Sequence, residues 1–302
     1  MKNYYKREEG SDIIGIYFGK DEEERYSLLI KLKECPKLDI KTNLLETRIG
    51  KRKDMLWALQ VSLRDPKYYG VFRALVEDLV GIVKKQSNLR IIEKNLIKRF
   101  NEWQDLFSMK INNLLKFSQI QGLLGELFFL KEILFVRVGI EEALKSWIGP
   151  LGTNKDFQFE RYWFEVKTKS EAKETITISN SEQLKSINNG YLTVIDCEKS
   201  SELDENAISL NGLHYDILKM IEEKRLRNIY FQRLFSLNFV PAEEYNNYYF
   251  IIKKTSYYLV DSSFPSVTVS DTNSIIKMKY DILLSGIKNK ERNGMEVWKS
   301  EL

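Results

Sequence analysis

Asp156 precedes Glu165-Val166-Lys167 by nine residues, and the two segments read as strands of one hairpin, 156–159 and 162–168. Side chains alternate along a strand, so Glu165 and Lys167 share a face while Val166 points to the other. Neighbouring strands lie about 4.8 Å apart, which brings Asp156 within reach of the point Glu165 faces. Two carboxylates converging there repel unless a cation joins them. Mg²⁺ suits such a site: it takes oxygen ligands at about 2.0–2.1 Å and keeps several waters. Mn²⁺ can substitute, and the backbone carbonyl of Val166 offers a further oxygen. Lys167 then has a task, because an ammonium beside a cation-polarised water favours loss of its proton and stabilises charge growing on nearby oxygens. Glu126 is the fourth member. On a helix it neighbours Gly122, Phe129, Leu130 and Ile133, where an ionised carboxylate is costly unless paired or coordinated. Gln183, after the next extended segment, is a secondary candidate.

Each of these residues also has a bland reading. Asp156 could close a turn after Asn154-Lys155, Glu165 and Lys167 could decorate an outer strand face, and Glu126 could sit on a helix surface. Glu-x-Lys alone carries little weight, since Glu171-Ala172-Lys173 and Glu222-Glu223-Lys224 read as surface charge. The triplet at 165–167 differs by lying on an aromatic-rich strand paired with an acidic segment.

The rest of the inventory narrows the chemistry. Cys35, Cys197 and the single His214 cannot build a Cys/His zinc site within the chain, and most nucleophile–histidine schemes are excluded unless His214 serves. His214 reads as a surface or half-buried structural residue at a helix start. Carboxylates and lysines must therefore carry the reaction. The charged fraction of 30% and hydrophobic fraction of 43% are those of a globular protein. No apolar run is long enough for a membrane helix, and the first residues lack a signal-peptide pattern, so a cytoplasmic location is expected. A net charge of +4 is compatible with a polyanionic partner. Lys51-Arg52-Lys53, Lys84-Lys85, Lys253-Lys254 and Lys277 with Lys279, interleaved with aromatics, extend that reading to nucleic acid.

Positioning these groups requires a buried helix over 114–138, a break at 149–154, the hairpin, an extended stretch at 176–178, a helical turn at 181–187 and a buried strand at 191–196. A helix over 213–227 and strands at 248–252, 257–260 and 278–284 follow. Ahead of them, strands at 13–18, 26–30 and 57–63 and a helix over 69–85 form an N-terminal α+β lobe. The chain thus divides into a lobe at 1–95, a candidate for DNA recognition or partner binding, and a domain at 96–302 with a strand-rich C-terminal extension. The fold class is α/β (α+β), a central mixed β-sheet flanked by helices.

Gln121-Gly122-Leu123-Leu124-Gly125-Glu126-Leu127, Trp147-Ile148-Gly149-Pro150, Lys155-Asp156-Phe157, Glu165-Val166-Lys167-Thr168 and Ile178-Ser179-Asn180 with Gln183-Leu184 resemble a bacterial family of the PD-(D/E)XK nuclease superfamily. The proline of that motif is not adjacent here, as Lys155 precedes Asp156. The resemblance implies a restriction-endonuclease-like core and Mg²⁺-dependent cleavage of double-stranded DNA in a restriction or phage-defence system. It further implies Asp156, Glu165 and Lys167 as the motif residues, completed by Glu126, with Glu126 also a candidate metal ligand. A homodimer and an ATPase, helicase or methyltransferase partner are compatible with it. The competing expectation is a catalytically silent DNA-binding or assembly subunit on the same core.

Overall fold

Alternation of apolar and polar residues along Tyr26–Leu32 and Trp57–Leu63 makes each a strand with one buried face, and these two strands sit at the heart of the first unit. The computed structural model describes residues 5–8, 14–38, 42, 44–84, 88–108, 114–185, 188–267 and 278–299. Lys85, Ile187 and Lys277, named above in basic clusters and a helical turn, lie outside them. The chain forms two units, Met1–Leu114 with Glu222–Val240, and Leu115–Ile221 with Pro241–Leu302. The sequence pattern alone places a single cut near residue 95.

In the first unit β1 (Lys6–Arg7), β2 (Ile16–Lys20), β3 (Tyr26–Leu32), β4 (Leu45–Lys51) and β5 (Trp57–Leu63) form an antiparallel sheet in the order β1-β2-β3-β5-β4. Leu28, Ile30, Leu59 and Val61 meet Phe72, Leu75 and Leu79 of α1 (Tyr69–Lys84) and Ile92, Leu96 and Phe100 of α2 (Leu89–Ser108) in one buried core. Neither β4 nor α2 was expected.

The second unit begins with α3 (Phe117–Phe128), which runs into a π-helical stretch, Phe129–Leu134, and then α4 (Phe135–Val138) and α5 (Ile140–Ser146). The expected helix over 114–138 is therefore three successive elements. Next come β6 (Phe157–Gln158), β7 (Trp163–Lys169), β8 (Thr175–Ile178), β9 (Gly190–Ser200), β10 (Ile208–Ser209) and α6 (Leu210–Met220). The expected helix over 213–227 is interrupted at 221–223, and its continuation, α7 (Lys224–Ser236), belongs to the first unit. The last elements are β11 (Tyr249–Val260), β12 (Tyr280–Leu283), β13 (Glu291–Arg292) and α8 (Gly294–Lys299). The two short C-terminal strands read from the sequence are one strand, β11, irregular in register between Ile252 and Lys254.

The central sheet runs β10-β11-β9-β7-β6 with β13 on β11. It is mixed: β7 and β9 are parallel, and the other pairs are antiparallel. Parallel pairing of β7 with β9 requires a crossover connection, and β8, which lies within it, pairs with β12 rather than with the hairpin. Trp163, Leu192 and Val194 on one face of the sheet pack with Ile176, Ile178, Ile282 and Ile287. On the other face Phe164 meets Phe129, Tyr191 and Trp298 at ring-centroid distances of 5.1, 5.5 and 5.3 Å. This is a mixed α/β fold whose central sheet is flanked by helices.

Candidate active site

The hairpin closes through a Phe159 N–H donated to the Tyr162 carbonyl at 2.9 Å, yet β6 pairs only with Trp163 and Phe164. Beyond Phe164 the outer edge of β7 therefore has no partner strand from β6. Asp156 fills that gap: its Oδ2 accepts the Val166 N–H at 2.7 Å. Asp156 thus sits just ahead of β6, not within it. In extended backbone the N–H and C=O of one residue face the same side, so the Val166 carbonyl lies on the edge that Asp156 covers.

Asp156 is itself held by the Gly149-Pro150 turn. Its carbonyl accepts the N–H groups of Ile148 and Gly149 at 2.9 and 3.0 Å. A Cβ at Gly149 would lie 3.0 Å from both Asp156 Cα and Oδ1, so only glycine permits this approach comfortably. Trp147, one residue earlier than Ile148, bridges backbone to backbone with Phe157 and donates its indole N–H to Glu126 Oε2 at 2.8 Å. One short segment thereby orients two of the acidic groups.

Glu126 reaches the site because α3 approaches β7 closely. A methyl group at Gly125 would collide with Thr168 Cγ2, and Val166 Cγ1 lies 3.7 Å from the same point. The bare glycine lets the helix settle on the strand and carries Glu126 to the edge where Asp156 lies.

Glu165 is 1% exposed and lies beside Leu192 of β9. Its Oε1 accepts from Lys167 Nζ at 2.7 Å, while Oε2 is buried with no hydrogen-bond partner. Burial, and then the charge of Asp156, push the Glu165 carboxyl up to about 8 against the pull of Lys167. Burial and then Asp156 and Glu165 hold Glu126 well above the usual carboxylate range, although Trp147 opposes this. Asp156 is also raised by burial, with Lys167 and the Val166 N–H drawing it back. For Lys167 burial lowers the ammonium, but Glu165 and Asp156 outweigh it and the net direction is upward. Three acids and one ammonium thus share a single electrostatic environment. Gln183 joins them: its Oε1 stands 3.5 Å from Lys167 Nζ and accepts the Ser179 N–H at 2.9 Å.

Lys155, Trp147, Gly125 and Gly149 were not assigned roles from the sequence. Lys155 is 8% exposed, with its ammonium 3.7 Å from the Trp163 ring centroid, and desolvation brings it down to about 8. A lysine preceding the acidic residue was visible in the sequence, but nothing there signalled its burial. His214 is buried in α6 rather than surface-placed, 2% exposed, and takes no part in the site.

Among the described residues no group of three or more His, Cys, Asp or Glu side chains is arranged to hold a metal ion. The donor set nevertheless suits a hard divalent cation. Mg²⁺ binds typically through one or two carboxylates and completes its shell with waters and phosphate oxygens. Asp156 and Glu165 supply two carboxylates, and Glu165 Oε2 is a buried acceptor with no hydrogen-bond partner. No described helix is long and apolar enough to cross a membrane.

Comparison with curated proteins and with solved structures gave no match. The model of one family, described as "Putative PD-(D/E)XK family member, (DUF4420)", matches residues 6–285. That span covers most of both units and includes Glu126, Asp156, Glu165 and Lys167, and the chain belongs to this family.

Proposed function

We propose that the chain is a divalent-metal-dependent endonuclease that hydrolyses phosphodiester bonds of double-stranded DNA, acting in the cytoplasm within a restriction or phage-defence system. The observation that carries this reading is the convergence of Glu126, Asp156, Glu165 and Lys167 on one strand edge, with Glu165 Oε2 buried and unpartnered. Family membership supports a nuclease-like site.

Asp156 and Glu165 would hold Mg²⁺ or Mn²⁺, together with the Val166 carbonyl and with Glu126 as a further candidate. A cation there supplies Lewis-acid polarisation of a phosphoryl oxygen and acidifies a water. The remaining work falls to the chain itself. Lys167 places a positive charge beside Glu165, where it stabilises negative charge developing on the phosphoryl group. Trp147 fixes Glu126 Oε2, leaving Oε1 to hold a proton or orient a water. Val166 N–H keeps Asp156 aimed along the strand edge.

The test is cleavage of supercoiled and linear DNA by the purified chain with Mg²⁺ or Mn²⁺. Lys167→Ala and Asp156→Asn are expected to lower the rate by at least about 10²-fold, the scale of losing one preorganised charge-stabilising group. Circular dichroism should remain that of the parent. DNA binding without cleavage under either cation would instead identify a silent binding or assembly subunit.

A further inference from the structure

We propose that Lys155 is a positioning residue whose buried ammonium clasps the turn Ser181–Leu184 so that Gln183 presents its side-chain oxygen to Lys167. This deepens the nuclease reading and rests on it for its kinetic consequence, but the clasp itself involves no metal ion.

An ammonium has three donors, and burying one is costly unless all are satisfied. Lys155 Nζ meets the carbonyl of Glu182 at 3.2 Å and the carbonyl of Gln183, and it lies over the face of Trp163. Two carbonyls and a π face account for its donors, so this lysine has no capacity left for a phosphate. Both carbonyls come from the C-terminal end of a short helical turn, where a cation is electrostatically favoured. A second link runs parallel to the first: Asn180 Nδ2 donates to Asn154 Oδ1 at 3.1 Å, while Asn180 Oδ1 accepts the Glu182 N–H at 3.1 Å. The segment bearing Asp156 is thereby fastened to the turn bearing Gln183.

The turn held in this way stands beside Lys167. Its ammonium meets Glu165 Oε1 at 2.7 Å, with Gln183 Oε1 at 3.5 Å. Were Glu165 to hold a cation, the ammonium would need a neutral acceptor that holds its position without cancelling its charge. Gln183 is placed for this, since the Ser179 N–H fixes its oxygen from the other side. Lys155 sets the backbone from which Gln183 reaches.

The experiment compares Lys155→Met, Lys155→Arg and Gln183→Met with the parent, first by amide hydrogen exchange without cation or DNA. Lys155→Met is expected to raise exchange at Ser179, Gln183 and Lys185 at least tenfold while Val166 and the β9 amides stay protected, and Lys155→Arg restores most of the protection. In DNA cleavage, Lys155→Met and Gln183→Met should each lower kcat about tenfold with KM unchanged, and the double variant should be no worse than either. Calcium binding followed by titration should be the same in all. Unchanged exchange in Lys155→Met overturns the clasp. Increased exchange with parental kcat, or kcat losses that multiply in the double variant, overturns its role toward Lys167. A parent that cleaves no DNA sinks the nuclease reading and the role toward Lys167 with it, while the exchange result still decides the clasp.

Discussion

Trp147 has a polar task inside an apolar setting. It is fully buried, stacks on Phe157 and spends its one donor on Glu126. Trp147→Phe keeps an aromatic ring but leaves that carboxylate without its donor, a loss of about 1–3 kcal/mol. Chemical denaturation at pH 8 should show this decrease, and cleavage should fall as Glu126 loses its orientation. His214 gives the pH dependence a separate handle. Burial brings its imidazole from 6.5 down to about 4, so the folded state favours the neutral form. Its contribution is fully present above pH 6.5 and is lost as pH falls through the window toward 4. Replacing it with leucine should flatten that part of the stability–pH curve, measured by urea unfolding at fixed temperature. At this scale the sequence was legible where chemistry and periodicity coincide. Glu165 and Lys167 could be placed on one face by alternation alone, and Asp156 near them by the hairpin. Trp147 and Lys155 could not be assigned, because their roles depend on contacts with α3 and with the turn at 181–184, which no local pattern encodes.

Elements were legible in proportion to how strongly one face is apolar. Strand β7 and helix α1 declared themselves, whereas β4, with Glu46, Arg48 and Lys51 along it, reads as polar and is an edge strand whose charges suit an exposed position. Helix α3 looked continuous to residue 138 because its apolar residues run on without a proline or glycine stop, and hydrogen-bond widening into a π-helical stretch leaves no mark in composition. The contact between α3 and β7 is where an element-scale change should matter most. Gly125→Ala adds one methyl group against Thr168, and overpacking of this kind costs about 1–3 kcal/mol. The helix must shift to relieve it, carrying Glu126 away from Asp156. A lowered melting temperature together with reduced cleavage is expected, and Thr168→Ser, which removes the colliding methyl, should recover part of both.

For the whole molecule, the division of the chain is not a linear one. The core of the first unit includes Phe100 and Trp103 from α2 and Phe235 from α7, all beyond residue 95. A fragment of residues 1–95 lacks these large side chains and should show no cooperative melting by circular dichroism, whereas 1–114 joined by a flexible linker to 222–240 should melt cooperatively. The sequence gives no cue for this return, since α6 and α7 are separated by only the short stretch at 221–223. The basic clusters, read as a polyanion surface, are partly committed: Arg52 pairs with Asp54 at 3.1 Å and Lys254 with Glu291 at 3.1 Å.

Asp156 substitutes for a missing neighbour strand, since its side chain takes up an amide that backbone would otherwise claim. Truncating it to alanine would remove a charged oxygen and at the same time bare a length of sheet margin, inviting mispairing or self-association. Inactivity of such a variant would then have two causes that cannot be told apart. Asparagine retains an acceptor for the Val166 amide and deletes only the charge, so the two substitutions, compared for aggregation as well as for turnover, separate guarding the strand from serving the reaction.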